Sequence, residues 1–119
     1  MTSTGSRPAP EWFDISTPDA RQARNFYREL FGWEVNAIDE TYALVGGDGG
    51  RPAGGIGQAG PSSPYTGIVV YFPVDDVEAA FARAQRLGGS LVLEPTRTPL
   101  GQIAVFADLD GNRVGLVSH

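Results

Sequence analysis

The 119-residue chain has no cysteine, no lysine, one histidine at its last position and one methionine at its first. Without thiols there is no disulfide framework, no thiolate nucleophile and no cysteine-based zinc or iron–sulfur site. All nine basic residues are arginine, so Schiff-base chemistry and an amine nucleophile are excluded too. No apolar run approaches membrane-spanning length, and the Ser/Thr/Pro/Gly-rich opening lacks the basic start and apolar core of a secretion signal. The expectation is a cytoplasmic protein that keeps clear of membranes. A net charge of −5 without any basic patch argues against a nucleic-acid partner.

What is present is a repeat. The stretch from Asp19-Ala20 to Gly32 matches that from Asp76-Val77 to Gly89 at one constant offset, which also pairs Ala23 with Ala80, Leu30 with Leu87 and Val35 with Val92. Asp48-Gly49-Gly50-Arg51 is echoed by Asp110-Gly111-Asn112-Arg113 at a slightly longer offset, so the second copy carries a short insertion. A repeat of this length is one supersecondary unit that cannot bury its own apolar face, and two copies can share a core. With 41% hydrophobic and 19% charged residues, the composition is that of an ordinary globular domain. The expected division is a flexible tail over 1–10 and one domain over 11–119. The first module spans 11–58, a Gly-Pro-Ser-Ser-Pro linker 59–66, and the second module 67–119.

Each copy reads strand, helix, strand, strand, strand. Trp12 to Thr17 alternates Trp12, Asp14 and Ser16 on one face with Phe13 and Ile15 on the other. Thr17 suits an N-cap, Pro18 the first helical position and Asp19 the positive end of the helix dipole. Ala20, Ala23, Phe26, Tyr27 and Leu30 form an apolar stripe expected to lie on the sheet, and Gly32 suits the helix stop. Trp33 to Ile38, Thr41 to Val45 and Ala53 to Gln58 follow as short strands around a Gly46–Gly50 turn. In the second copy Gly67 to Val74 is a strand, and Asp75 with Glu78 has capping-box spacing. Val77, Ala80, Phe81, Ala84 and Leu87 make the helix stripe, ended by Gly88-Gly89. Leu91 to Leu93, Gln102 to Ala107 and Asn112 to Val117 complete the set, with Asp110-Gly111 as a hairpin signal.

The run Phe13-Asp14-Ile15-Ser16-Thr17-Pro18-Asp19, followed by Ala23-Arg24-Asn25-Phe26-Tyr27 and Leu30-Phe31-Gly32-Trp33, resembles the opening module of the vicinal oxygen chelate superfamily. That superfamily includes glyoxalases, bleomycin-resistance proteins and extradiol dioxygenases. Val74-Asp75-Asp76 through Gly88-Gly89, then Phe106-Ala107-Asp108-Leu109-Asp110-Gly111-Asn112, resembles the closing module. The resemblance implies an α+β fold: two βαβββ modules whose mixed sheets curve into a cup with the helices outside. It also implies metal ligands, usually His or Glu, at positions occupied here by Trp12, Val69, Gly55 (or Ala53) and Gly115. None of these side chains donates a lone pair to a divalent cation, so the expectation is no metal and no cofactor. Glu11, Asp39, Glu40, Asp48, Asp108 and Asp110 fall near strand ends or turns, where carboxylates cap hairpins or stay in water. His119 reads as a solvated chain end.

The site expected in place of the metal is aromatic. By strand parity Trp12, Asp14 and Ser16 share the inner face with Tyr71, while Phe13, Ile15, Val70 and Phe72 pack under the helices. Trp33, Tyr42, Val69 and Phe106 are further lining candidates, and Gly55 and Gly115 are expected to leave free volume where ligands once stood. Arg97, in the inserted Glu94–Gly101 segment, is placed to close over the mouth and pair an anionic group. Two functions from different classes fit. One is a binder that holds an aromatic or cationic small molecule, similar to the antibiotic-sequestering members of the superfamily. The other is a metal-independent isomerase, cyclase or lyase in which Asp14 moves a proton while Tyr71 or Ser16 steadies an oxyanion. Superfamily members of this size are commonly homodimers, which is the assembly the resemblance implies.

Overall fold

The computed structural model describes residues 7–46, 50–61, 63–99 and 101–119. Residues 47–49, in the middle of the expected Gly46–Gly50 turn, and residues 1–6 of the expected tail lie outside the described residues. The elements run β1 (Trp12–Thr17), α1 (Ala20–Phe31), β2 (Glu34–Ala37), β3 (Tyr42–Gly46), β4 (Gly54–Gln58), β5 (Gly67–Pro73), α2 (Val77–Arg86), β6 (Ser90–Thr98), β7 (Gly101–Ala107) and β8 (Arg113–Ser118). The class is α+β, each copy is βαβββ, and parallel and antiparallel strand pairs coexist. The chain forms two compact units, Trp12–Val69 and Val70–His119, the latter also taking in residues 7–11.

In the first unit the strand order is β2-β3-β4-β1, with β1 and β4 parallel and β3 antiparallel to its neighbours. The face under α1 is built from Ile15, Val45 and Ile56, with Phe13, Ala23, Tyr27, Trp33 and Val35 packed around them. Fully burying a side chain such as Ile56 or Val45 contributes roughly 1.5–3 kcal/mol each. The α1 stripe differs from expectation: Ala20 is buried and Ala23 and Tyr27 half-buried, while Phe26 and Leu30 are 59% and 58% exposed. The reason is aromatic packing, since Tyr27 stacks on Trp33 with ring centroids 5.6 Å apart and so holds the inward line of the helix. The cap also shifts. Asp19, not Thr17, accepts the Gln22 N–H at 3.0 Å, while Thr17 Oγ1 accepts the Asp19 N–H at 3.1 Å. Gly32 ends the helix with φ +70°, a conformation in which only glycine is free of strain. The segment read as a linker folds onto this unit: Gly60 and Ser63 pair as a bridge, and the Ala59 N–H donates to the Thr17 carbonyl.

In the second unit the order is β5-β8-β7-β6. Val77 and Phe81 of α2 pack on Ala104 and Leu116, with Val74, Ala80 and Phe106 around them, whereas Leu87 is exposed. Val70, expected under the helix, is 36% exposed. The N-cap is Asp76, which accepts the Ala79 N–H at 3.0 Å, one residue later than the capping-box reading of Asp75 with Glu78. The sixth strand is far longer than Leu91–Leu93. It runs through Thr98, with register breaks between Leu91 and Leu93 and between Leu93 and Thr96 that accommodate Pro95 at a strand position. His119 is not simply a solvated end, because its Nε2 pairs with the Glu11 carboxylate. The Glu11 N–H in turn donates to the Tyr71 carbonyl at 2.9 Å.

The β7–β8 hairpin turns on Gly111, at φ +87°, and on Asp108. Asp108 Oδ1 accepts the backbone N–H groups of Asp110 and Asn112, and Oδ2 accepts the Asn112 side-chain amide. These bonds, led by Asn112, hold the Asp108 carboxyl below its ordinary value. A carboxyl that titrates lower when folded stabilises the fold above its unfolded pKa of about 3.9, and this is lost as pH falls through the folded pKa. Asp108→Ala is therefore expected to lower the melting temperature at neutral pH, and its deficit against wild type should narrow as pH falls below about 3.9. A gap that stays constant between pH 7 and the acid limit would assign the effect to something other than this carboxylate.

Candidate functional site

On β1 the side chains opposite the helix-facing Phe13 and Ile15 are Trp12, Asp14 and Ser16. Asp14 is the hub. Its Oδ1 accepts the Trp12 indole N–H at 3.2 Å and the Tyr42 phenol at 2.6 Å, the short distance of a hydroxyl donating to a charged acceptor. Tyr42 stands at the start of β3, and the Asp39–Thr41 turn fixes its backbone: Asp39 Oδ1 accepts the Tyr42 N–H at 3.0 Å and the Thr41 N–H at 2.7 Å. Asp39 thus caps a hairpin, as its position predicted, and these bonds, with Thr41 first, lower its pKa.

Glycine makes the Tyr42–Asp14 bond possible. Asp14 pairs in register with Gly55 on β4, and Tyr42 pairs with Gly57 on the other side of that strand. The ring therefore crosses β4 to reach Asp14. A Cβ at Gly55 would collide with the Tyr42 hydroxyl, and one at Gly57 would stand 2.9 Å from Tyr42 Cδ1. Burial, followed by the neighbouring Asp14 carboxylate, pushes the Tyr42 phenol well above its ordinary value, and Trp12 works in the opposite direction. Tyr42 is accordingly a proton-bearing donor throughout the neutral range. Ser16 is 3% exposed, and its Oγ accepts from Ser63 Oγ at 2.9 Å.

The second unit uses the same device at a different strand pair. Tyr71 on β5 pairs in register with Gly115 on β8, and a Cβ on Gly115 would stand 2.6 Å from Tyr71 Cγ. The expected free volume over Gly55 and Gly115 is thus corrected: a tyrosine ring fills each space. Val69 is buried. Trp33 and Phe106 lie on the helix side of their sheets, Trp33 stacked on Tyr27 and tilted against Phe13 and Phe31, and Phe106 beside Val77 and Phe81. Arg97 is not on a loop. It is an exposed residue of β6 opposite Gln102. Within the first unit the structure brings together Trp12, Asp14 and Tyr42, and a separate hydroxyl pair at Ser16. Gly57 and Ser63 were missed, although the alternation Gly55-Ile56-Gly57 signals close approach of something large to one face of a strand.

The positions at which the resemblance implies ligands do not fit a divalent cation. Trp12 offers only an N–H, which Asp14 takes, Val69 is aliphatic, and Gly55 and Gly115 lie beneath tyrosines. Among the described residues no three His, Asp or Glu side chains converge.

A model of the glyoxalase/bleomycin resistance protein/dioxygenase superfamily matches residues 10–116. The chain belongs to that superfamily. Among curated relatives, the anthracycline biosynthesis protein DnrV of Streptomyces peucetius is 33% identical over 87% of this chain and 44% of its own length. DauV of a Streptomyces species, also an anthracycline biosynthesis protein, is 32% identical over the same shares. The chain thus spans less than half the length of these superfamily relatives. Among solved structures, a superfamily member from Vibrio splendidus shares the fold with a TM-score of 0.62 at 17% identity, over 95% of this chain and 100% of that one. Homoprotocatechuate 2,3-dioxygenase from B. fuscum gives 0.66 at 20% identity, over 94% of this chain and 34% of the dioxygenase.

Two substitutions test the geometry. Gly55→Ala should expel Tyr42 from its seat and destabilise the protein by ~1–3 kcal/mol in urea unfolding. Tyr42→Phe keeps the ring but removes a hydrogen bond to a carboxylate, at a cost of ~1.5–3 kcal/mol. In the double variant the two losses should fall short of their sum, because both break one contact. Full additivity would show that Gly55 and Tyr42 act independently.

Proposed function

We propose that the protein binds a small aromatic or cationic molecule without a metal, on the face of the first unit that carries Trp12, Asp14 and Tyr42. The observation that carries this reading is the Asp14 carboxylate set between an indole and a phenol. Aromatic surface beside an acid suits a flat cation, through stacking, cation–π attraction and a charge-assisted hydrogen bond. The net charge of −5 draws such a ligand in. The kinship with proteins named for anthracycline biosynthesis supports an aromatic ligand. Metal independence is supported by the donor-poor residues at the superfamily's ligand positions.

A second reading is catalytic. Asp14 takes a proton α to a carbonyl, and Tyr42 swings its single O–H from Asp14 to the carbonyl oxygen as it does so, the part that the sequence assigns to Tyr71 or Ser16. Superfamily relatives with more than twice the matched length support a homodimer, in which a second copy supplies the mass that those chains carry themselves. The acidic, cysteine-free composition supports a cytoplasmic location.

Thermal-shift titration separates these readings. Doxorubicin should raise the melting temperature, by ~2.7 kcal/mol of added stability at a hundred times Kd, and be recovered unchanged. Asp14→Asn should reduce the shift. A shift with zinc, nickel or iron and none with any aromatic cation would overturn the proposal, whereas chemical conversion of a carbonyl compound that Asp14→Asn abolishes would favour the enzyme. Sedimentation velocity should give twice the chain mass of 12.6 kDa.

A further inference from the structure

Tyr42 is bound to its own protein as a ligand would be. Its ring lies on two glycines of β4, its hydroxyl donates to Asp14 at 2.6 Å, and the Trp12 indole donates to the same oxygen. A planar ring against bare backbone, with one hydroxyl pointing at a half-buried carboxylate, is a binding mode that any phenol of similar size can adopt. The attachment is also detachable. The backbone of Tyr42 is held independently of the ring: its N–H donates to Asp39, and its carbonyl accepts from Ile38 at 2.9 Å and from Asp39 at 3.3 Å. Rotation about the Cα–Cβ bond therefore releases the ring without undoing the strand, and Tyr42 is only half-buried, so it has a way out.

We infer that the glycine floor of β4 is a receptor for phenols that the chain fills with Tyr42, and that a hydroxylated aromatic ligand enters by taking that side chain's place. This rests on the small-molecule-binding reading above and names its ligand class. Glycine at both 55 and 57 follows from it, since either Cβ would spoil the floor for Tyr42 and for an incoming ring alike. So does the pairing of the seat with an acceptor. Asp14 discriminates a hydroxylated ring from its methyl ether, because an ether cannot replace the O–H that Tyr42 donates to this half-buried carboxylate.

While Tyr42 is seated the site is closed, and the apparent affinity for a competitor falls by the fraction of time that the seat is empty. The test uses p-cresol and its ether, 4-methylanisole, titrated by calorimetry into wild type, Tyr42→Ala and Tyr42→Ala/Asp14→Leu. Tyr42→Ala should bind p-cresol about tenfold or more tightly than wild type and prefer it to the ether by about tenfold. The double variant should lose that preference. Equal binding of the two probes to Tyr42→Ala would overturn the inference, because it describes a mere apolar hole. Absence of p-cresol binding would do the same. If Tyr42→Ala proves unfolded by circular dichroism, Tyr42→Phe decides: its ring is held without the hydroxyl bond, so p-cresol should displace it several-fold more readily than in wild type, and equal affinity refutes displacement. Doxorubicin binding that is indifferent to Tyr42→Phe and Gly55→Ala would leave the binding function standing while removing this site.

Discussion

The hydrogen bond from Tyr42 to Asp14, made across a strand with no side chains on that face, is the constraint around which the first unit is arranged. It needs four separate things: a β1 register that sets Asp14 beside Gly55, a β3 start that points the phenol toward β4, glycines at 55 and 57, and the Asp39 turn that holds the Tyr42 backbone. Each is a local choice, and they agree. The second unit reaches a similar result through Tyr71 over Gly115, although there the tyrosine comes from the neighbouring strand in direct register. At Gly55 and Gly115, two of the positions where the superfamily resemblance implies liganding side chains, a tyrosine ring covers the bare backbone.

The two faces of the first-unit sheet have divided their labour. The helix side is a continuous hydrophobic and aromatic cluster from Ile56 out to Phe31, and its stability comes from area removed from water. The other side carries the acid, the phenol, the indole N–H and the Ser16–Ser63 pair, and its order comes from directed hydrogen bonds. A group on the polar face can therefore change partners without disturbing the core, which is the property that a ligand-responsive surface requires.

The repeat made the βαβββ order legible, because helix periodicity and the glycines at 32 and 88–89 punctuate both copies in the same way. Parity on β1 was readable since Phe13 and Ile15 alternate cleanly with Trp12, Asp14 and Ser16. The helix caps came out one or two residues early because Thr17 and Asp19, and likewise Asp75 and Asp76, are all competent caps, and only the backbone angles choose among them. Trp33 and Phe106 were misplaced for a different reason. A lone aromatic in a short strand carries no phase of its own, and the partners that fix it, Tyr27 and Phe81, sit on helices. The length of β6 was hidden by Pro95, which reads as a break unless bulges absorb it. Least legible was what fills the glycine positions: a missing side chain marks a close approach without naming the group that approaches.

The chain's two tryptophans are separated by this same division of faces. Trp33 packs among Phe13, Tyr27 and Phe31 on the helix side, whereas the Trp12 indole N–H donates a hydrogen bond to Asp14. Ultraviolet emission from the protein consequently has two sources of different character, one indifferent to events at the carboxylate and one wired to it. Trp12 is a built-in fluorophore beside the carboxylate, with Trp33 as an internal reference.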